Sequence, residues 1–263
     1  MSRSNQLTLK DPWEIEVMRE AGRIVAHVLA RMERIVVPGV TTLDLDREAE
    51  KIIRTAGAVP TFKGYVIRPG VPPYPSSICS SVNEEIVHGI PSADRVLVEG
   101  DIVGVDVGAT LKSYVGDAAR TYLVGECAES TKRLVEETRR ALDAGIAAMK
   151  PGGRLLDVAR AIQNVGREGG YGIVRDYCGH GVGRAMHEPP QVPNYVPKRA
   201  SDYDLELVPG LVLALEPMFC AGTHRTETLD DDWTIVTADR KLSAHWEHTV
   251  AVTEDGAQIL TIP

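Results

Sequence analysis

From Ile15 to Met32 apolar side chains recur at three- and four-residue spacing (Ile15, Met18, Ala21, Ile24, Val25, Val28, Leu29, Met32), which predicts an amphipathic helix to about Arg34. Asp11-Pro12-Trp13-Glu14 supplies its start, with Asp as cap, Pro at the first helical position and Glu three residues after the cap. Val37-Pro38-Gly39 stops it. Thr42 is read as the cap of a second helix to about Ala56, with Leu43, Leu45, Ala49, Ile52 and Ile53 inward. Residues 58–76 are irregular and proline-rich, a surface loop, followed by short strands at Ser77–Ser81 and one ending at His88. The pattern then changes to that of a β-hairpin. Ile102, Val103, Val105 and Val107 form its first arm, and Tyr114, Val115, Ala119, Thr121, Leu123 and Val124 its second. Helical spacing returns from Ser130, read as a cap, to about Met149, and again from Leu155 to Glu168, where Gly169-Gly170 ends it. Residues 171–188 are glycine-rich and 189–209 read as a second proline-rich loop. Leu211–Leu215, Trp233–Thr237 and Ala244–Val252 read as strands, the last of them long.

The order of elements repeats. Pro38-Gly39 followed by Leu43-Asp44 recurs as Pro151-Gly152 followed by Leu156-Asp157, and the glycines ending the shorter helices, Gly57 and Gly170, keep the same offset. Val98-Glu99-Gly100-Asp101-Ile102-Val103 resembles Val208-Pro209-Gly210-Leu211-Val212-Leu213. On this second offset Asp106 falls on Glu216, and Glu247 on the last strand is read as the mate of Asp117. The expectation is one catalytic domain over residues 1–263, of class α+β, built as two pseudo-symmetric halves (roughly 9–125 and 126–263) with antiparallel sheet covered by helices.

Composition narrows the class. Of 263 residues, 43% are apolar and 25% charged, ordinary for a globular chain, and the net charge of −8 argues against direct nucleic-acid binding. No apolar run is long enough to span a membrane, and the first residues lack a leader's apolar stretch. The four cysteines form no CxxC pair and fit reduced thiols, so the cytoplasm is the expected location.

The candidate chemistry lies in the acids. Asp is depleted in strands, yet Asp106 sits inside an apolar run and Asp117 inside the partner arm. Carboxylates buried together repel unless cations neutralise them. Four of them, Asp106, Asp117, Glu216 and Glu247, suit two divalent ions, and paired ions about 3.5–4 Å apart suit hydrolysis. His180, flanked by Gly179 and Gly181, is placed to complete one ion's ligands, and a single imidazole among carboxylates favours Mn, Fe or Co over a structural zinc. His187 and His88 lie in similar glycine-adjacent or irregular contexts. His27, His224, His245 and His248 are read as structural or exposed, and Glu227 with Asp230-Asp231-Asp232 as a solvated turn.

Asn83-Glu84-Glu85-Ile86-Val87-His88-Gly89-Ile90-Pro91, Asp106-Val107-Gly108 with Gly116-Asp117, Gly179-His180-Gly181-Val182-Gly183-Arg184, His187-Glu188, Glu216-Pro217 and Glu247-His248-Thr249 together resemble type I methionine aminopeptidase, from about Leu9 to the end. The resemblance implies the pita-bread fold and removal of the initiator methionine from nascent chains with a small second residue. It implies that Asp106, Asp117 and Glu247 hold one ion, that Asp117 and Glu247 also reach a second, and that His180 and Glu216 complete the second. Mn, Fe, Co and Zn all tolerate this ligand set. Glu216 would be the general base, His187 would stabilise the oxyanion and His88 would contact the substrate near the leaving amide. Cys79, Trp233 and Tyr65 match pocket positions of the family, and Met186 stands where many members have Phe. The stretch from Phe62 to Pro75 is longer than usual, and His245-Trp246 replaces more usual residues before Glu247. The implied partners are nascent polypeptide N-termini; any ribosome docking would use the domain surface, and a monomer is the default. An Xaa-Pro aminopeptidase or prolidase shares the fold, but its extra N-terminal domain has no room before Asp11.

Overall fold

The computed structural model describes residues 7–263; the first six, part of the stretch read above as lacking leader character, lie outside it. Helix α1 (Pro12–Ile35) starts as the sequence predicts: the Asp11 N–H donates to the Glu14 carboxylate at 2.8 Å. Helix α2 (Thr42–Thr55) differs by one position. Its cap is Thr41, whose hydroxyl accepts from the Asp44 N–H at 3.1 Å, while the buried Thr42 hydroxyl donates instead to the Ser92 carbonyl at 3.1 Å.

Strands β1 (Val59–Pro60), β2 (Ile78–Val82), β3 (Glu85–Val87), β4 (Ile102–Leu111) and β5 (Tyr114–Leu123) follow. The β4–β5 hairpin is an unbroken ladder from Ile102↔Leu123 to Leu111↔Tyr114. It turns through Lys112 and Ser113, both at positive φ (49° and 66°), the two-residue geometry whose twist matches a hairpin. β2 and β1 pair along the other edge of β4. Val25, Val28, Leu29 and Met32 of α1 and Leu45, Ala49 and Ile53 of α2 bury against Val103, Val105 and Val107 of this sheet.

Helices α3 (Glu129–Ala148) and α4 (Leu155–Gly169) open the second part. Ala128, not Ser130, precedes α3, and no side chain caps it; Ser130 is already helical. Gly170 ends α4 in the left-handed conformation (φ 74°). Strands β6 (Gly172–Ile173), β7 (Gly179–Gly181) and β8 (Glu188–Val192) come next, so the expected loop over 189–209 is in part a strand. β8 is the outer strand of its sheet, where Pro189 and Pro190 cost few ladder hydrogen bonds. Then follow β9 (Val212–Leu215), β10 (Met218–Cys220), β11 (Thr226–Thr228), β12 (Ile235–Thr237), β13 (Ser243–His245), β14 (His248–Thr253) and β15 (Gly256–Ile259). The expected long strand over 244–252 is therefore two strands.

The reason for that break positions the site. β9 and β14 pair within a five-stranded sheet, β15-β14-β9-β7-β8, whereas β10 and β13 pair within a three-stranded one, β13-β10-β6. Both chains change sheet at the same place. Glu216-Pro217 lies in one crossing and Trp246-Glu247 in the other, with the Trp246 N–H donating to the Pro217 carbonyl at 3.3 Å. β5 meets the second crossing. Ala119 and Glu247 exchange backbone hydrogen bonds at 2.8 and 3.3 Å, and the Thr249 hydroxyl donates to the Asp117 carbonyl at 2.7 Å. Among the described residues no helix is long and apolar enough to cross a membrane.

Candidate active site

Asp106 and Asp117 leave the hairpin on one face. Asp106 pairs with Ala119 and Asp117 with Gly108, so the two acids are diagonal neighbours across the ladder. Glu216 and Glu247 reach the same point from the two sheet crossings, and His180 from β7, where it pairs with Ala214. The His180 Nε2 stands 3.7 Å from Asp117 Oδ2 and 3.6 Å from Glu216 Oε1. Ligand atoms of Asp117, His180 and Glu247 all lie within 4.8 Å of one another. The structure thus brings together the five side chains that the sequence singled out.

Electrostatics there are those of a site that needs cations. Asp117 and Glu247 are 1% and 2% exposed. Burial, and then the neighbouring carboxylates, push Asp106, Glu216 and Glu247 well above the ordinary carboxylate range, and burial pushes Asp117 up as well. Asp106 Oδ1, Asp117 Oδ1 and Glu247 Oε1 are buried without a hydrogen-bond partner. Acceptor-only oxygens pointed at one another are costly unless an ion lies among them, so the residues present fit divalent metal. His180 fits the same role. Its Nδ1 donates to the Gly181 carbonyl at 2.9 Å, which leaves the Nε2 lone pair facing the acids, and burial lowers its pKa to about 3.

A cavity of about 320 Å³ adjoins the acids. Phe62, Tyr74, Cys79, Met186 and Trp233 belong to one apolar cluster along it. Tyr74, in the long stretch, is buried; its hydroxyl donates to the carbonyls of Gly89 (2.8 Å) and Ile78 (3.1 Å), and its ring meets Trp233 edge-on at 5.0 Å. The Trp233 Nε1–H donates to the Pro72 carbonyl at 2.9 Å, which ties the long loop to the pocket wall. His88 follows β3 at φ 61°, its ring edge-on to Tyr177 (5.7 Å) and Trp233 (6.2 Å), and burial lowers its pKa to about 4.

His187 is exposed at the rim, its ring 4.3 Å from that of His180. Its Nδ1 lies 2.6 Å from the Tyr65 hydroxyl, so Tyr65 does more than line the pocket. The two residues are far apart in sequence, and nothing in the pattern signals the pair. Just beyond, Glu188 accepts from the backbone N–H groups of Arg184 (2.9 Å) and Ala185 (3.2 Å) and pairs with buried Lys10 at 2.6 Å, which braces the turn bearing His187. A groove of about 670 Å³ continues past His187 and shares Cys178, His180, His187 and Gln191 with the cavity. Tyr177, Cys178, Gln191 and His245 line the cavity and were not singled out as site residues from sequence. Of these His245 alone carried a signal, as an unexplained residue beside Glu247.

The sequence model of metallopeptidase family M24 matches residues 16–254. The methionine aminopeptidase of Clostridium acetobutylicum is 48% identical over 97% of this chain and 99% of its own length. Methionine aminopeptidase 1 of Bacillus subtilis is 47% identical over 96% of this chain and 98% of its own. The crystal structure of a methionine aminopeptidase from Thermotoga maritima matches with a TM-score of 0.92 at 45% identity, covering 98% of this chain and 100% of that one. A prolidase from Pyrococcus furiosus shares the fold, with a TM-score of 0.75 and 24% identity, and extends further, this chain covering 65% of it.

Proposed function

The chain belongs to metallopeptidase family M24 and, within it, to the methionine aminopeptidases, and from that premise we propose how its site works. Asp106, Asp117 and Glu247 would hold one divalent ion, and His180 and Glu216 would serve a second together with Asp117 and Glu247. The observation that supports cation binding is the convergence of Asp117, His180 and Glu247 ligand atoms within 4.8 Å of one another, with Asp106 and Glu216 lining the same cavity. Such ions would acidify a bound water and polarise a scissile carbonyl, and Mn, Fe, Co and Zn would all suit the donor set.

The chain's own residues do the rest. The initiator methionine side chain occupies the apolar cavity against Cys79, Trp233 and Met186. Glu216 takes the proton from the attacking water. Tyr65 donates its hydroxyl proton to His187 Nδ1, so His187 presents Nε2–H to the oxygen of the scissile carbonyl as charge develops there. His88, held neutral by burial, contacts the leaving amide. The remaining chain leaves through the groove past His187. The substrates are nascent polypeptide N-termini with a small second residue, the setting is the cytoplasm, and residues 1–263 act as one catalytic domain and as a monomer.

Release of methionine from Met-Ala-Ser, lost on chelation and restored by Mn²⁺ or Co²⁺, is the expected result. Failure on that peptide with cleavage of an Xaa-Pro peptide would instead assign the site to prolidase-type hydrolysis.

A further inference from the structure

His245 ends β13, and its backbone is fully engaged: its N–H donates to the Thr121 hydroxyl at 2.9 Å and its carbonyl accepts from that hydroxyl at 2.8 Å. With the backbone anchored, the ring enters the floor of the cavity, 4% exposed. Its Nε2 has no hydrogen-bond partner. It faces Glu216 Oε2 and Glu247 Oε2, each at 3.9 Å, with His88 as the other titratable neighbour. A buried ring nitrogen aimed between two carboxylates and left unpaired is costly unless it serves them.

The chemistry fixes which service. Carboxylate oxygens only accept, so an imidazole nitrogen flanked by two of them carries the proton and acts as a donor. That separates His245 from His180, whose Nε2 keeps its lone pair because Nδ1 donates to Gly181. Glu216 therefore lies between two imidazoles of opposite character. Its Oε1 faces the His180 lone pair at 3.6 Å, and its Oε2 faces the His245 nitrogen at 3.9 Å. A movement of roughly 1 Å closes the latter to a hydrogen bond.

We propose that His245 is a positioning residue for the reaction: its Nε2–H is shared between Glu216 and Glu247 and fixes the orientation of the Glu216 carboxylate. The proposal rests on the reading of Glu216 as general base. His245 does not ligate; it divides the labour of the two Glu216 oxygens.

Three variants of the full chain test this, His245→Gln, His245→Asn and His245→Leu, each loaded with Mn²⁺. Gln carries an amide N–H about as far from the backbone as Nε2, whereas the Asn amide stops short. Turnover of Met-Ala-Ser should fall roughly 10- to 100-fold in His245→Asn and His245→Leu, the factor for a lost hydrogen bond to a charged group, with KM little changed. His245→Gln should recover most of it. Pulsed electron paramagnetic resonance should detect the same coupled imidazole nitrogen in all three variants and the parent. Equal turnover in the Gln and Asn variants, or a loss carried by KM, would overturn the proposal. So would loss of a nitrogen coupling in His245→Leu, which would make His245 a ligand. A parent enzyme that neither binds Mn²⁺ nor cuts the peptide would refute the metallopeptidase reading itself, a different outcome.

Discussion

Removing bound metal should turn Asp117 from an asset into a burden, in a way that depends on pH. In the metal-free fold, burial raises the Asp117 carboxyl from the ordinary 3.8 toward about 7. A carboxyl whose folded pKa is raised contributes stability that is fully present below 3.8 and is lost as pH climbs through about 7. The shift is about three units, and at about 1.4 kcal/mol per unit the loss approaches roughly 4 kcal/mol at its upper limit. For a chain of this size that corresponds to a change in Tm on the order of 10 °C. Asp117→Asn removes the titrating group while keeping its shape. Calorimetry of chelated protein should therefore find the variant more stable than the parent at pH 8, with the gap closing toward pH 4. Saturating Mn²⁺ should reverse the order at pH 8, because the parent alone keeps this ligand. A chelated variant that is less stable than the chelated parent by the same margin at both pH values would refute the reasoning, since it would show that Asp117 is satisfied without a cation.

Glu216→Gln, assayed at saturating Mn²⁺, should fold normally by circular dichroism and lose roughly 10²-fold or more in turnover, as removal of a general base does; a near-normal rate would remove it from that role. Tyr65→Phe deletes the hydroxyl 2.6 Å from His187 Nδ1 and should lower kcat/KM for Met-Ala-Ser about 3- to 10-fold, the worth of one ordinary hydrogen bond, with unchanged metal affinity. Gly116→Ala would place a Cβ 2.6 Å from the Gly22 backbone nitrogen, where α1 crosses β5. The clash should cost about 1–3 kcal/mol in urea unfolding and weaken metal binding through the adjacent Asp117.

The helices and the central hairpin were legible because their signals are local. α1 has a cap, a proline and an apolar stripe, and the hairpin has two apolar arms in close succession. Thr41 was passed over for Thr42 because both are good caps, and only the Ser92 carbonyl, distant in sequence, decides between them. β8 was hidden by its prolines, which an outer strand tolerates and an inner one does not. The split of the expected strand over 244–252 was also illegible, since both pieces have strand composition and the break follows from each pairing into a different sheet. At the site, the acids betrayed themselves by being acids in apolar surroundings. Tyr65 beside His187 and His245 beneath Glu216 are ordinary residues made special by neighbours that the fold supplies.

The stitching of β5 to the second sheet crossing makes the two halves of the sequence depend on each other. The Thr249 hydroxyl lies 132 residues from the Asp117 carbonyl it bonds, and Glu247 is nearly as far from the Ala119 backbone it pairs with. A fragment that stops before Glu247 would lack that buried acid and the clamp on Asp117 at the same time. The hairpin that carries Asp106 and Asp117 is thus completed from outside, by a strand far from it in the sequence.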